Sequence, residues 1–196
     1  TVDDVDASGA EINVGDIISF TSDAAGNTPV VGEEGIEYEV TAIDTGTNVV
    51  TFKRKDDPNG AGLKTAIPDD SFITAKWRFY DLFNDAPGQS DWSVQNGRGN
   101  GDELHIVVYD YTGDISGFDV DSDGNRTNAV LETYSGLSKN PNAKTAQGGS
   151  NYYPDVIYRQ SNFVYWMDHN TGGSNWGTDT TSAYTAVNVP TASTLT

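Results

Sequence analysis

The chain contains no cysteine, so it has neither a disulfide framework nor thiolate chemistry, and its redox compartment is left undetermined. Positive charge is scarce. Eleven basic residues stand against 29 acidic ones, and the formal charge of -18 repels phosphate backbones and anionic lipid. Nucleic acid and membrane surfaces are therefore poor partners. No apolar run approaches the roughly 20 residues that span a bilayer, and the opening TVDDVDASGA lacks the basic-then-apolar order of a signal peptide. The sequence has no G-x-S-x-G, no phosphate loop and no dinucleotide fingerprint.

What is present suits one large or two small domains in 196 residues. Seven Phe, 10 Tyr and 4 Trp are enough to build a core, while 21 Gly and many Asp, Asn, Ser and Thr imply short elements joined by many turns. The expected fold class is α+β, mainly β. A small N-terminal β-barrel-like domain is expected over residues 1–75, followed over 76–196 by an α/β domain with a mixed sheet and short flanking helices. The chain does not begin with Met and ends in the polar string VPTASTLT, so it is expected to be a piece of a longer protein.

In the first domain, Ile17 to Phe20 follows the turn-like Val14-Gly15-Asp16. Residues 37 to 54 make the best hairpin, although the alternation around Tyr38 and Val40 is imperfect. Trp77 to Phe83 reads as a strand ended by Pro87-Gly88, and Ser90 as the N-cap of a brief helix over Asp91 to Gln95. Leu104 to Tyr109 is apolar on both phases, as in a central strand covered on both faces. Ala129 to Tyr134 is the next strand. Asn151 is placed as the N-cap of a helix over Tyr152 to Gln160, Phe163 to Met167 as a second core strand, and Tyr184 to Val189 as a late strand.

Four groups could carry chemistry. Asp119-Val120-Asp121-Ser122-Asp123-Gly124 matches the first half of a calcium loop, in which alternate carboxylates turn inward around a glycine. The twelfth position is Val130 instead of a bidentate Glu, so a solvated acidic hairpin tip is the first reading. A weak calcium site at Asp119, Asp121 and Asp123 is the second. His105 and His169 read as structural, being inside or at the end of apolar strands and outside any metal-ligand spacing. Asp110 and Glu132 lie near strand ends and could form a glycosidase-like carboxylate pair, although so acidic a chain produces such pairs by chance. Trp77, Trp92, Trp166 and Trp176, with Tyr152, Tyr153 and Tyr158, could form a sugar platform or simply pack. No catalytic residue and no cofactor is expected.

From Trp77 onward the chain resembles the tail sheath proteins of contractile, myovirus-type phages. The segments that carry the resemblance are Trp77-Arg78-Phe79, Asp81-Leu82-Phe83, Ala86-Pro87-Gly88-Gln89-Ser90, Gly101-Asp102-Glu103-Leu104-His105-Ile106-Val107-Val108, and Gly113-Asp114-Ile115-Ser116-Gly117. Val130-Leu131-Glu132-Thr133-Tyr134-Ser135-Gly136-Leu137-Ser138-Lys139 and Asn151-Tyr152-Tyr153 with Asp155-Val156-Ile157 complete the series. Residues 1–75 fit the variable surface domain of such proteins by position and composition. The acidic loop between Gly117 and Val130 is longer than the family's turn, and the tube-gripping C-terminal domain and linking arms have no counterpart. The resemblance implies an outer or middle piece of a subunit that stacks with its copies in six-fold rings around the tail tube of a virion. Contraction of those rings, without an active site, drives the tube into the host. From another class, the alternative is a calcium- or carbohydrate-binding β module of an extracellular bacterial protein.

Overall fold

The computed structural model describes residues 12–44, 46–47, 49–57, 62–120, 126–167 and 175–185, with the backbone alone at 118–120 and 126–128. The architecture is α+β and mainly β: short antiparallel sheets with few helices. The chain divides into two compact units, Thr1–Asp81 and Leu82–Thr196. Among the described residues no helix is long and apolar enough to cross a membrane.

In the first unit β1 (Ile17–Thr21), β2 (Tyr38–Asp44), β3 (Val49–Arg54) and β4 (Phe72–Lys76) form one antiparallel sheet in the order β3-β2-β1-β4. The imperfect alternation of β2 has a structural cause. The β2–β3 register shifts between Val40 and Ala42, which takes Thr41 out of the ladder and reverses the phase of the residues after it. Ile18, Phe20, Val30, Tyr38 and Val40 are buried, and the rings of Phe20, Tyr38 and Phe52 meet edge-on or tilted at 5.1 to 5.7 Å. Burial of each such side chain contributes about 1.5–3 kcal/mol. Among the described residues β3 and β4 do not pair with each other.

Two carboxylates organise this unit. Glu33 is buried and accepts from the Tyr38 hydroxyl and from Thr65 N at 2.6 Å, tying the 62–65 loop to the core. Glu37 accepts from the Tyr80 hydroxyl at 2.8 and 2.9 Å and from Lys76 Nζ at 2.9 Å, with Lys55 Nζ at 3.4 Å. Burial alone would raise the Glu37 pKa, but the bonds from Lys76 and Tyr80 and the two lysine charges outweigh it, and the net shift is downward. Burial and the facing Glu37 carboxylate push the Tyr80 phenol up to about 12, so it stays a donor.

Trp77 to Phe83 is not a strand. It holds a single 3-10 turn at Tyr80–Leu82, because Tyr80 N bonds back to the Trp77 carbonyl and leaves no extended edge to pair. The second unit then runs α1 (Asp91–Gln95), β5 (Glu103–Tyr109), β6 (Phe118–Val120), β7 (Arg126–Asn128), β8 (Val130–Ser138) and α2 (Tyr153–Gln160). Ser90 caps α1 as the sequence predicts, its Oγ accepting from Ser93 N at 3.2 Å. The cap of α2 falls on Tyr152 rather than Asn151, with Pro154 in the first turn; Asn151 instead donates its side-chain amide to the Gly136 carbonyl.

β5 pairs antiparallel with β8, and β6 with β7. Parallel contact is confined to one bridge, Ser138 to Tyr152, so no mixed sheet forms among the described residues. Among the described residues β5 pairs with β8 on one edge, and its faces are not covered along their whole length. Leu104 is buried, whereas Ile106 to Tyr109 are only half-buried. α2 lays Tyr153, Val156 and Ile157 against Leu104 and Leu137, which is the apolar core of this unit.

Phe163 to Met167 is not a core strand. Glu132 takes the Asn162 N–H, and Ser161 Oγ takes those of Phe163 and Val164, so local side chains rather than a ladder satisfy the backbone. Tyr165 and Met167 are exposed. Tyr184 and Thr185 lie outside any strand, and the rest of the late strand, 186–189, is outside the described residues.

Candidate functional site

The candidate calcium loop lies mostly outside the described residues: Asp121 and Asp123 are not described, and only the backbone of Asp119 is seen, in β6. His169 is outside them too. Among the described residues no three histidine or acidic side chains gather to hold a metal ion.

His105 occupies the β5–β8 irregularity between Leu104 and Ile106. Its Nδ1 accepts from Gly136 N at 3.0 Å, which leaves the proton on Nε2 to donate to the Asp85 carbonyl at 2.8 Å. The ring stacks on Phe83 at 4.2 Å. Both nitrogens are thus engaged in holding the chain.

Asp110 and Glu132 do not converge on a shared space. Asp110 is wrapped by its own loop, accepting from Gly113 N, Ile115 N and Ser116 N at 2.8 to 2.9 Å. Its pKa is lowered chiefly by the Ser116 N–H, against the opposing effect of burial, with further help from Ile115 and Gly113. Glu132 reaches the chain that leaves α2, taking Asn162 N at 2.8 Å, Ser161 Oγ at 2.6 Å and Tyr134 Oη at 2.9 Å. Burial would raise its pKa, but these three donors pull it down. Each carboxylate is committed to a loop it fixes.

The aromatic residues gather only in part. Tyr153 is fully buried and meets Tyr152, Trp166 and Trp176 edge-on at 5.3, 4.6 and 5.8 Å. Edge-to-face packing around a buried ring gives a cluster rather than an open flat face. Trp77 belongs to the first unit and packs on Phe79, Trp92 is on α1, and Tyr158 points to solvent.

The most elaborate constellation was not singled out by any motif. Asp102, Ser90, Ser93, Ser138, Lys139 and Asn140 are all buried at the end of the second unit where β5 begins and β8 stops. Asp102 Oδ1 accepts from Ser90 N at 2.9 Å, and Oδ2 accepts from Ser90 Oγ at 2.7 Å and from Ser138 Oγ. Each hydroxyl relays a backbone donor: Ser93 N bonds to Ser90 Oγ, and Asn140 N bonds to Ser138 Oγ at 3.1 Å. One carboxylate therefore fastens the cap of α1 to both strands.

Lys139 extends this network to residues 175–185. Its Nζ donates to the Gly101 carbonyl at 2.7 Å and the Thr185 carbonyl at 3.0 Å, and lies 5.0 Å over the Trp176 ring. Burial lowers its pKa, while the Asp102 charge opposes that shift. Asn140 Nδ2 donates to Tyr184 Oη at 2.8 Å and to Asp179 Oδ1 at 3.0 Å, and Tyr184 Oη donates to the Thr178 carbonyl. Gly99 is buried where this segment passes, and a Cβ there would lie 1.7 Å from the Ser182 carbonyl oxygen. Chemically the carboxylate, the lysine and the asparagine are held by donors and acceptors that fix geometry, whereas the buried Ser93 Oγ beside them has no hydrogen-bond partner among the described residues. In the sequence Lys139-Asn140-Pro141 opens a polar stretch that runs to Asn151, and no local pattern there signals a buried lysine.

Comparison of the chain with known protein families, curated proteins and solved structures finds no match.

Proposed function

We propose that this chain is part of a structural subunit of a contractile phage tail sheath, polymerising with its copies in six-fold stacked rings around a tail tube. The observation that supports this reading is a coincidence of residues. Four of the segments that resemble sheath proteins contribute to the second unit's interior: Ser90 closes Ala86-Pro87-Gly88-Gln89-Ser90, and Asp102 and Leu104 lie in Gly101 to Val108. Leu137, Ser138 and Lys139 end the Val130 to Lys139 segment, and Tyr153, Val156 and Ile157 come from the α2 segment.

A sheath works by moving near-rigid bodies between two packings, so its internal chemistry is cohesion rather than turnover. A buried carboxylate holding α1, β5 and β8 in one geometry meets that requirement without a catalytic residue or cofactor. On this reading the first unit is the variable, barrel-like surface domain, and the second unit belongs to the α/β domain of the full subunit. The charge of -18 keeps particles apart in solution. Contact with the tube belongs to domains outside this chain, and the protein resides in the virion after assembly in the host cytoplasm.

Electron microscopy of the full-length parent protein tests this. Hollow helical polysheaths or tail particles are expected. A dispersed monomer that binds calcium or glycans would replace the reading with that of an extracellular binding module.

A further inference from the structure

Three Asn-Gly pairs occur in the chain, and the two that are described differ in a way that bears on their chemistry. Asn59-Gly60 lies outside the described residues. At Asn96-Gly97, both reacting groups are occupied: Asn96 Nδ2 donates to the Trp92 carbonyl at 2.8 Å and Gly97 N to the Val94 carbonyl at 3.4 Å. At Asn100-Gly101 neither is. Asn100 is exposed, and among the described residues its side-chain amide and Gly101 N make no hydrogen bond.

We propose that Asn100-Gly101 is a self-modification site, at which the chain converts its own asparagine into isoaspartate and aspartate. Gly101 N, after losing its proton to hydroxide, attacks Cγ of Asn100. The N–Cγ bond forms, the Cγ–Nδ2 bond breaks, and ammonia leaves with a proton from water. The five-membered succinimide is then opened by water at either carbonyl, which breaks one ring C–N bond and returns a carboxylate. Glycine is what makes the attack possible, since it carries no Cβ to block the approach and its φ of +70 is open to few other residues.

The position gives the reaction a structural consequence. The Asn100 carbonyl accepts from Tyr184 N at 2.9 Å, and the Gly101 carbonyl accepts from Lys139 Nζ. Isoaspartate reroutes the main chain through the former side chain and adds one carbon between these two anchors. It also places a new negative charge two residues from buried Asp102. The modified form therefore holds residues 175–185 less firmly. The inference does not depend on the sheath reading.

Trypsin separates the two pairs, because cleavage after Arg78, Arg98 and Arg126 puts Asn96 in peptide 79–98 and Asn100 in peptide 99–126. The folded chain is aged in mildly alkaline buffer, digested at intervals, and read by tandem mass spectrometry and isoaspartyl methyl transfer, with the unaged digest as background. Asn100 is expected to be lost about tenfold faster than Asn96, the ratio given by a barrier difference of about 1.4 kcal/mol. Asn100→Gln is expected to abolish the deamidation and the isoaspartate that tandem spectra place at position 100, any isoaspartate from Asp123-Gly124 of the same peptide being assigned separately, and to leave the Asn96 rate unchanged. Equal or slower loss at Asn100, or an unmodified 99–126 in the folded chain while the free peptide reacts, would overturn the proposal.

Discussion

Removal of the Asp102 carboxylate is the sharpest perturbation of the second unit. Three donors meet it: Ser90 N, Ser90 Oγ and Ser138 Oγ. A hydrogen bond to a charged group contributes about 1.5–3 kcal/mol, and a buried donor left without a partner costs about 1–3 kcal/mol. In Asp102→Ala the two hydroxyls can rotate but the Ser90 N–H cannot, and the expected loss is about 3–5 kcal/mol, in line with breaking other buried polar networks. Asp102→Asn keeps the shape but turns an NH2 toward a donor, and about 1–3 kcal/mol is expected. Urea unfolding followed by tryptophan fluorescence reads this, since Trp92, Trp166 and Trp176 belong to the second unit. With a urea slope of about 2 kcal/mol per molar, Asp102→Ala lowers the midpoint by about 2 M. The Asp102→Ala/Ser138→Ala double variant should lose less than the two singles combined, because they break one network. If Asp102→Ala unfolds within about 0.5 kcal/mol of the parent, the reasoning fails.

Further outcomes follow from the same geometry. Ile157→Ala, at a buried core position of α2, should cost about 2–5 kcal/mol, whereas Met167→Ala, at an exposed side chain, should stay within about 0.5 kcal/mol in the same urea assay. Tyr38→Phe leaves buried Glu33 without its hydroxyl donor and should cost about 1–3 kcal/mol, measured by thermal unfolding of the first unit. The chain should also be destabilised by acid. Glu37 and Glu132 titrate below the ordinary 4.5 and Asp110 below the ordinary 3.8, so the stability they contribute is complete above those values. It drains away as pH falls through the folded-state values. A pH series of melting temperatures checks this, and a melting temperature that rises on acidification through that range would contradict it.

Local chemistry was legible in the sequence where it acts over a few residues. Ser90 announces α1 because a cap needs only its own hydroxyl and the N–H three residues on. The β2–β3 hairpin is legible from its β-branched and aromatic run, and even its faulty alternation marks the bulge at Thr41. Failure came where partners are distant or missing. Leu104 to Tyr109 has the composition of a doubly covered strand, yet among the described residues it pairs with β8 alone and is fully buried only at Leu104. Phe163 to Met167 has a core-like composition, but Glu132 and Ser161 intercept its backbone. Lys139 is the clearest case. Its burial depends on Gly101, Trp176 and Thr185, between 37 and 46 residues away, and periodicity carries no information at that range.

The Asp102 network also sits at one particular end of its sheet. The chain enters β5 at Glu103 and leaves β8 at Ser138, and these two residues are paired side by side. A pull transmitted along the backbone would therefore act on the open end of an antiparallel pair, where rungs break in succession instead of sharing the tension. The first rung would meet nearly all of that force. Asp102 and Lys139 flank it, with the carboxylate bonded across to Ser138 and the Lys139 N–H bonded to the Asp102 carbonyl. The network is thus a stop at the one place where the sheet could be unzipped.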